Sequence, residues 1–94
     1  DVRTHLLFKV DKGKREEFLH FLKGHECTNN IYRINNGFDY LVEAIFENLT
    51  QLQDFYEEAE EQGVTGRQEH FILEDLQREA FLNEKVEDTM RIMQ

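Results

Sequence analysis

The chain has 94 residues, 39% of them hydrophobic, with eight Phe, no Trp, no Pro and a formal net charge of −9. One domain with a modest core fits that length, and so acidic a surface disfavours direct contact with nucleic-acid phosphates. A lone cysteine, Cys27, excludes an internal disulfide and suits a reducing, cytoplasmic setting, while no apolar run reaches membrane-spanning length and no signal peptide is visible.

In chain order, Val2 to Val10 alternates Thr4, Leu6, Phe8 and Val10 against Arg3, His5, Leu7 and Lys9, which predicts a strand with one apolar and one mixed face. Asp11-Lys12-Gly13 breaks it. Lys14 to Lys23 then carries Phe18, Leu19, Phe21 and Leu22 at helical spacing, with Glu16 and Glu17 near the start, where the helix dipole favours acids. Gly24-His25-Glu26 ends that helix. A hairpin follows over residues 31–46. Asn48 or Thr50 caps a second helix, with Thr50 and Gln53 forming a capping box and Leu49, Leu52, Phe55, Tyr56 and Ala59 lining its buried side. Gly63 and Gly66 bracket a loop. Gln68 to Asp75 reads as a fourth strand, Phe71 and Leu73 on one face, His70 and Ile72 on the other. Leu82, Val86, Met90 and Met93 mark an amphipathic C-terminal helix. The order βαββαβ predicts an α+β, ferredoxin-like fold, with two helices on one face of an antiparallel sheet. The organisation expected is a domain at 1–75 with a helical extension at 76–94.

The hairpin Ile31-Tyr32-Arg33-Ile34-Asn35-Asn36-Gly37-Phe38-Asp39-Tyr40-Leu41-Val42 is the most informative stretch. Asn-Gly between apolar runs is a strong hairpin signal. A two-residue loop, Asn36-Gly37, pairs Asn35 with Phe38 and puts Asn29 and Arg33 on the face of Tyr40, Val42 and Ala44. A three-residue loop pairs Ile34 with Phe38 and sets Arg33 opposite Asp39. The second register is the expected one, because it gives a uniformly apolar face and one cross-strand ion pair. The sheet face away from the helices then collects Leu7, Ile31, Leu41, Ile45 and Ile72 among charged residues. Apolar surface rimmed by charge marks an interface, and a self-association surface is expected there; a C-terminal helix folding back over it is the alternative.

Residues 3–82 resemble the effector-binding domain of the leucine-responsive regulatory protein/AsnC family of transcription regulators. The resemblance rests on Gly37-Phe38-Asp39 leading into Leu41 and Val42, on Phe8-Lys9-Val10-Asp11-Lys12-Gly13, and on His70-Phe71-Ile72-Leu73-Glu74-Asp75. It implies a dimeric α/β plait or higher oligomer, an amino acid or similar effector bound between subunits near the glycine turn, and DNA binding by a helix-turn-helix N-terminal to this domain. The effector-site residues so expected are Arg33, Asn36, Gly37, Phe38 and Asp39. Asp39 would hold an effector amine or form a structural pair with Arg33; Gly37 would offer backbone N–H groups to a carboxylate, besides satisfying turn geometry.

No cofactor or metal is expected. His5 and His70 read first as interface histidines, with a metal pair the sharper alternative and no third ligand evident. His25-Glu26-Cys27 lacks ligand spacing and reads as a surface loop. Glu57-Glu58-Ala59-Glu60-Glu61 reads as a solvated helix face. No nucleophile–base set, phosphate loop or paired-carboxylate motif appears. The competing functions are a small dimeric ferredoxin-like enzyme, a monooxygenase or sirohaem decarboxylase with His5 or His70 as the reactive group, and a stand-alone assembly module without a ligand.

Overall fold

A computed structural model describes residues 1–78. The elements run β1 (Val2–Val10), a single 3-10 turn (Lys12–Lys14), α1 (Arg15–Gly24), β2 (Thr28–Arg33), β3 (Tyr40–Phe46), α2 (Leu49–Glu61) and β4 (Val64–Phe71). The strands form one antiparallel sheet in the order β2-β3-β1-β4, and both helices lie on one of its faces: the ferredoxin-like arrangement. The expected C-terminal helix, with Leu82, Val86, Met90 and Met93, lies outside the described residues.

The core forms where the alternation of β1 and β3 meets the helical stripes. Leu6, Phe8, Tyr40, Val42, Ala44 and Phe46 from the sheet pack against Phe18 and Leu22 of α1 and Leu52, Phe55 and Ala59 of α2. Phe8 meets Phe18 edge-on with ring centres 5.4 Å apart, and Phe55 packs on Phe8, Phe21 and Phe46. Thr4 is the buried polar residue, and its hydroxyl donates to the Ala44 carbonyl at 3.0 Å, so its burial leaves no orphaned donor.

The hairpin register is not the expected one. Arg33 pairs with Tyr40, Tyr32 with Leu41 and Ile31 with Val42, which is the register of the rejected two-residue loop. A slip of one residue turns every β2 side chain to the other face. Ile31 therefore packs against the core, and Tyr32 takes its place on the open face beside Leu41. The polar residues that argued against this register sit where they cost little. Arg33 is exposed at the last rung, and Asn29 lies in an irregularity between Thr28 and Asn30. The turn is also looser than a tight hairpin: strand pairing stops at Arg33 and Tyr40, and only the Ile34 amide bonding to the Asp39 carbonyl closes the connection, with Gly37 at φ 96°.

The fourth strand starts at Val64, four residues before the expected Gln68, and ends at Phe71. Val64 pairs with Val10 and Gly66 with Lys9, so Gly63 alone belongs to the loop. The alternation there is weak because Arg67 and Glu69, on the helix side, meet α2 through polar groups instead of apolar ones. The Tyr56 hydroxyl donates to Glu69, and the Arg67 guanidinium lies 3.7 Å from the centre of the Tyr56 ring. The α2 cap is Asn48, which accepts from the Gln51 amide at 2.8 Å, while the Gln51 side chain accepts from the Glu47 amide. The box thus sits two residues earlier than Thr50–Gln53, and Leu49 stays exposed rather than buried.

Candidate functional site

Two surfaces hold the residues singled out above: the β2–β3 connection and the sheet face that the helices leave open. In the connection, Asn35, Asn36 and Gly37 are exposed and Phe38 is half-buried beneath the Lys9 ammonium, 5.7 Å from its ring centre. A side-chain carbon added at Gly37 would meet nothing within 4 Å, so the turn offers open backbone to a ligand.

Asp39 does not pair with Arg33. Its Oδ1 accepts from Nη2 of Arg15 at 2.9 Å and its Oδ2 accepts from the Val10 amide at 2.8 Å, while its own amide donates to the Phe8 carbonyl at 2.8 Å. The carboxylate thus ties the connection to the end of β1 and the start of α1. Each oxygen accepts one bond and keeps a further lone pair, so the carboxylate anchors the connection in place of the expected pair with Arg33. Arg33 projects from the last rung of β2 toward solvent on the helix side.

On the open face, side chains line up in rows across the strands. His70, His5, Glu43 and Asn30 form one row, and Gln68, Leu7, Leu41 and Tyr32 the next. Leu7, Leu41 and Ile72 are half-buried, and Tyr32 and Ile45 are 46% and 37% exposed, so the aliphatic set expected there is present except for Ile31. Asn30 donates to Glu43 at 3.2 Å, and a hydrogen bond to the same carboxylate raises the Tyr32 phenol above its ordinary value. At one end, Arg3 makes a two-pronged bond to Asp75 at 2.7 and 2.8 Å, which holds that carboxyl below the usual range. A small recess of about 80 Å³ lies between Arg3, His5, Asn30, Glu43, Ile45, Ile72 and Arg78.

His25-Glu26-Cys27 is not a surface loop throughout. Cys27 is buried, and the His25 ring packs on Phe55 with centres 4.9 Å apart; its Nδ1 accepts from the Cys27 amide at 3.2 Å and its Nε2 lies 3.4 Å from Glu58. Burial raises the Cys27 thiol, the reverse of what a reactive cysteine needs. Glu57, Glu58, Glu60 and Glu61 are exposed around buried Ala59. Among the described residues no group of three His, Cys, Asp or Glu converges as for a metal, and no helix is long and apolar enough to cross a membrane. The Asp39–Arg15 bond and the Tyr56–Glu69 bond were missed in the sequence. Each joins residues far apart in the chain, and no local spacing announces them.

A βαββαβ chain with two helices on one face of an antiparallel sheet defines an α+β domain of the ferredoxin-like class. A profile of the Lrp/AsnC ligand binding domain matches residues 5–89, and the chain belongs to that family. Its fold superposes on a transcriptional regulator of Neisseria meningitidis solved with L-methionine, with a TM-score of 0.74 and 18% identity over 82% of this chain and 53% of that one. LrpC of B. subtilis gives 0.72 at 18% identity, over 81% and 53%. A feast or famine regulatory protein of M. tuberculosis, also solved with L-methionine, gives 0.72 at 12% identity, over 84% and 54%. At these identities the likeness establishes the fold, and this chain spans about half the length of each. Among curated proteins no sequence matches it.

Proposed function

We propose that this domain is the ligand-responsive, oligomerising part of an AsnC-type transcription regulator. It binds an amino acid or similar small molecule between subunits, and contact with DNA belongs to a separate helix-turn-helix. The observation that carries this reading is the ligand-binding-domain match over residues 5–89. The L-methionine in the N. meningitidis and M. tuberculosis structures supports an amino acid as the effector class. The charge of −9 supports the division of labour, since this surface repels phosphates.

The effector site borders the β2–β3 connection. Asn36, Gly37 and Phe38 supply exposed amides, close backbone approach and an apolar wall. Arg33 supplies a cation for an effector carboxylate, and Asp39 holds the connection in place through Arg15 and Val10. The open face, with Leu7, Leu41, Ile45, Ile72 and Tyr32, brings the second subunit. Calorimetric titration of the 94-residue chain with L-methionine and the other protein amino acids tests the reading. Saturable binding of at least one, weakened roughly ten-fold or more by Arg33→Ala through loss of a charge-assisted bond, is the expected result. If no amino acid releases heat or raises the melting temperature, the effector reading fails.

A further inference from the structure

We infer that His5 and His70 on the open sheet face clasp a single late first-row divalent metal ion, such as zinc, nickel or copper. The inference goes beyond effector binding and does not depend on it.

The geometry comes from the strand register. His5 of β1 and His70 of β4 are direct partners, so their side chains leave the same face side by side. The amide of Ile72 donates to the Arg3 carbonyl at 2.8 Å, and bonded pairs alternate along an antiparallel ladder, so His5–His70 is itself a bonded pair. Its Cα atoms stand about 5.5 Å apart. Two imidazoles leaning together over that gap reach the spacing of about 3.4 Å that two nitrogens need on one tetrahedral ion at about 2.1 Å. Neutral imidazole suits zinc, nickel and copper, and copper binds most strongly of these in general.

The charged groups beside the pair are already engaged with one another. In a single chain His70 is exposed on an edge strand and His5 is half-buried, on the face proposed above to meet the second subunit. Arg3, two residues before His5 on the same face, has its charge matched by Asp75, and Arg78 lies 3.9 Å from that carboxylate. Glu43, the partner of His5 on the other side, has its carboxylate taken up by Asn30 and Tyr32. The chain thus supplies two ligands, and water or a second copy supplies the rest. His25 is different: its ring is packed between Phe21 and Phe55, and its Nδ1 already accepts a backbone bond.

Zinc chloride, and separately nickel chloride, titrated calorimetrically into the 94-residue chain at neutral pH tests the assignment. One saturable site is expected, with affinity falling as the pH drops because protons compete for the imidazoles. His5→Gln and His70→Gln should each weaken binding by at least the roughly ten- to hundred-fold that loss of a supporting group around a metal costs. His20→Gln should leave it unchanged. His70→Gln, at an exposed edge position, keeps the test informative if His5→Gln folds poorly, and circular dichroism checks both. One ion per chain places water in the remaining positions, one ion per two chains places a second copy there, and both support the clasp. Absence of saturable binding, equal binding by both variants, or an equal loss in His20→Gln overturns it. An amino acid that binds while zinc does not would leave the effector reading standing and remove this one.

Discussion

At the scale of single residues, Asp39 and Tyr56 each join parts of the chain that the sequence order keeps apart. The Asp39 carboxylate accepts one bond from a guanidinium and one from a backbone amide, and its side chain is 27% exposed, so solvent screens only part of the interaction. Charge-assisted bonds of this kind contribute about 1.5–3 kcal/mol when well shielded. Asp39→Ala is expected to lose about 1–2 kcal/mol, read as a lower urea midpoint at unchanged slope; a midpoint equal to wild type would show the anchor to be unimportant. Tyr56 makes a pH prediction. Burial first, and then the hydrogen bond to Glu69, push its phenol above the ordinary value. The folded state holds the proton more tightly than the unfolded chain, whose tyrosines titrate near about 10. Stability from this source is therefore complete below that pH and is lost as pH rises above it. Urea unfolding across the alkaline range should show a steeper loss for wild type than for Tyr56→Phe. Parallel curves would mean the hydroxyl contributes nothing. In the sequence Asp39 stood out through the Gly-aromatic-Asp pattern, but its partner did not. Arg15 lies on another element, and only the folded sheet brings the two together. Tyr56 was legible as a core ring by its helical spacing, whereas its hydroxyl bond was not.

At the scale of elements, the central strands and both helices were legible because β1, β3, α1 and α2 each have one uniformly buried stripe. The edge strands β2 and β4 were legible as strands but not in register or bounds, since each has one neighbour and carries mostly polar side chains. The expected register maximised apolar uniformity. In the observed one the Ile34 amide bonds to the Asp39 carbonyl while the Asp39 amide bonds to β1, a contact with a third strand that hairpin patterning cannot contain. The turns themselves differ in tolerance. Gly37 and Gly63 both have positive φ, 96° and 101°. A side-chain carbon at Gly37 meets open space, whereas at Gly63 it would come within 2.8 Å of the Lys14 Cβ, which is attached directly to backbone at the start of α1. Gly37→Ala should cost only the conformational penalty of about 1–2 kcal/mol. Gly63→Ala adds a clash that must move either α1 or the start of β4, so its loss of stability should be clearly larger. Equal urea midpoints for the two variants would show that the α1–β4 junction yields freely.

At the scale of the molecule, charge and open apolar surface lead to separate expectations. With a net charge of −9, this domain alone should give no mobility shift with duplex DNA at micromolar protein and low salt; a shift that added salt abolishes would contradict this. Pairing is argued from the sheet. Helices cover one face, and the other presents Leu7, Leu41, Ile45, Ile72 and Tyr32 to solvent in a single chain. Two such faces packed together form an interface of standard size if they bury about 1,500 Å² in total. The face is not uniform. Its Ile45 and Ile72 end is bordered by the Arg3–Asp75 pair and by Arg78, whereas Leu7 and Leu41 are neighbours in the row that runs from Gln68 to Tyr32. Binding energy concentrates in the water-excluded centre of an interface and falls toward a polar rim. Leu41→Lys should therefore give monomers, Leu7→Lys likewise, and Ile45→Asp a weaker dimer that dissociates on dilution. Light scattering across a concentration series checks all three. A monodisperse wild-type monomer would remove the open face as a pairing surface, and a dimer untouched by Leu41→Lys would move the contact to another surface of the fold.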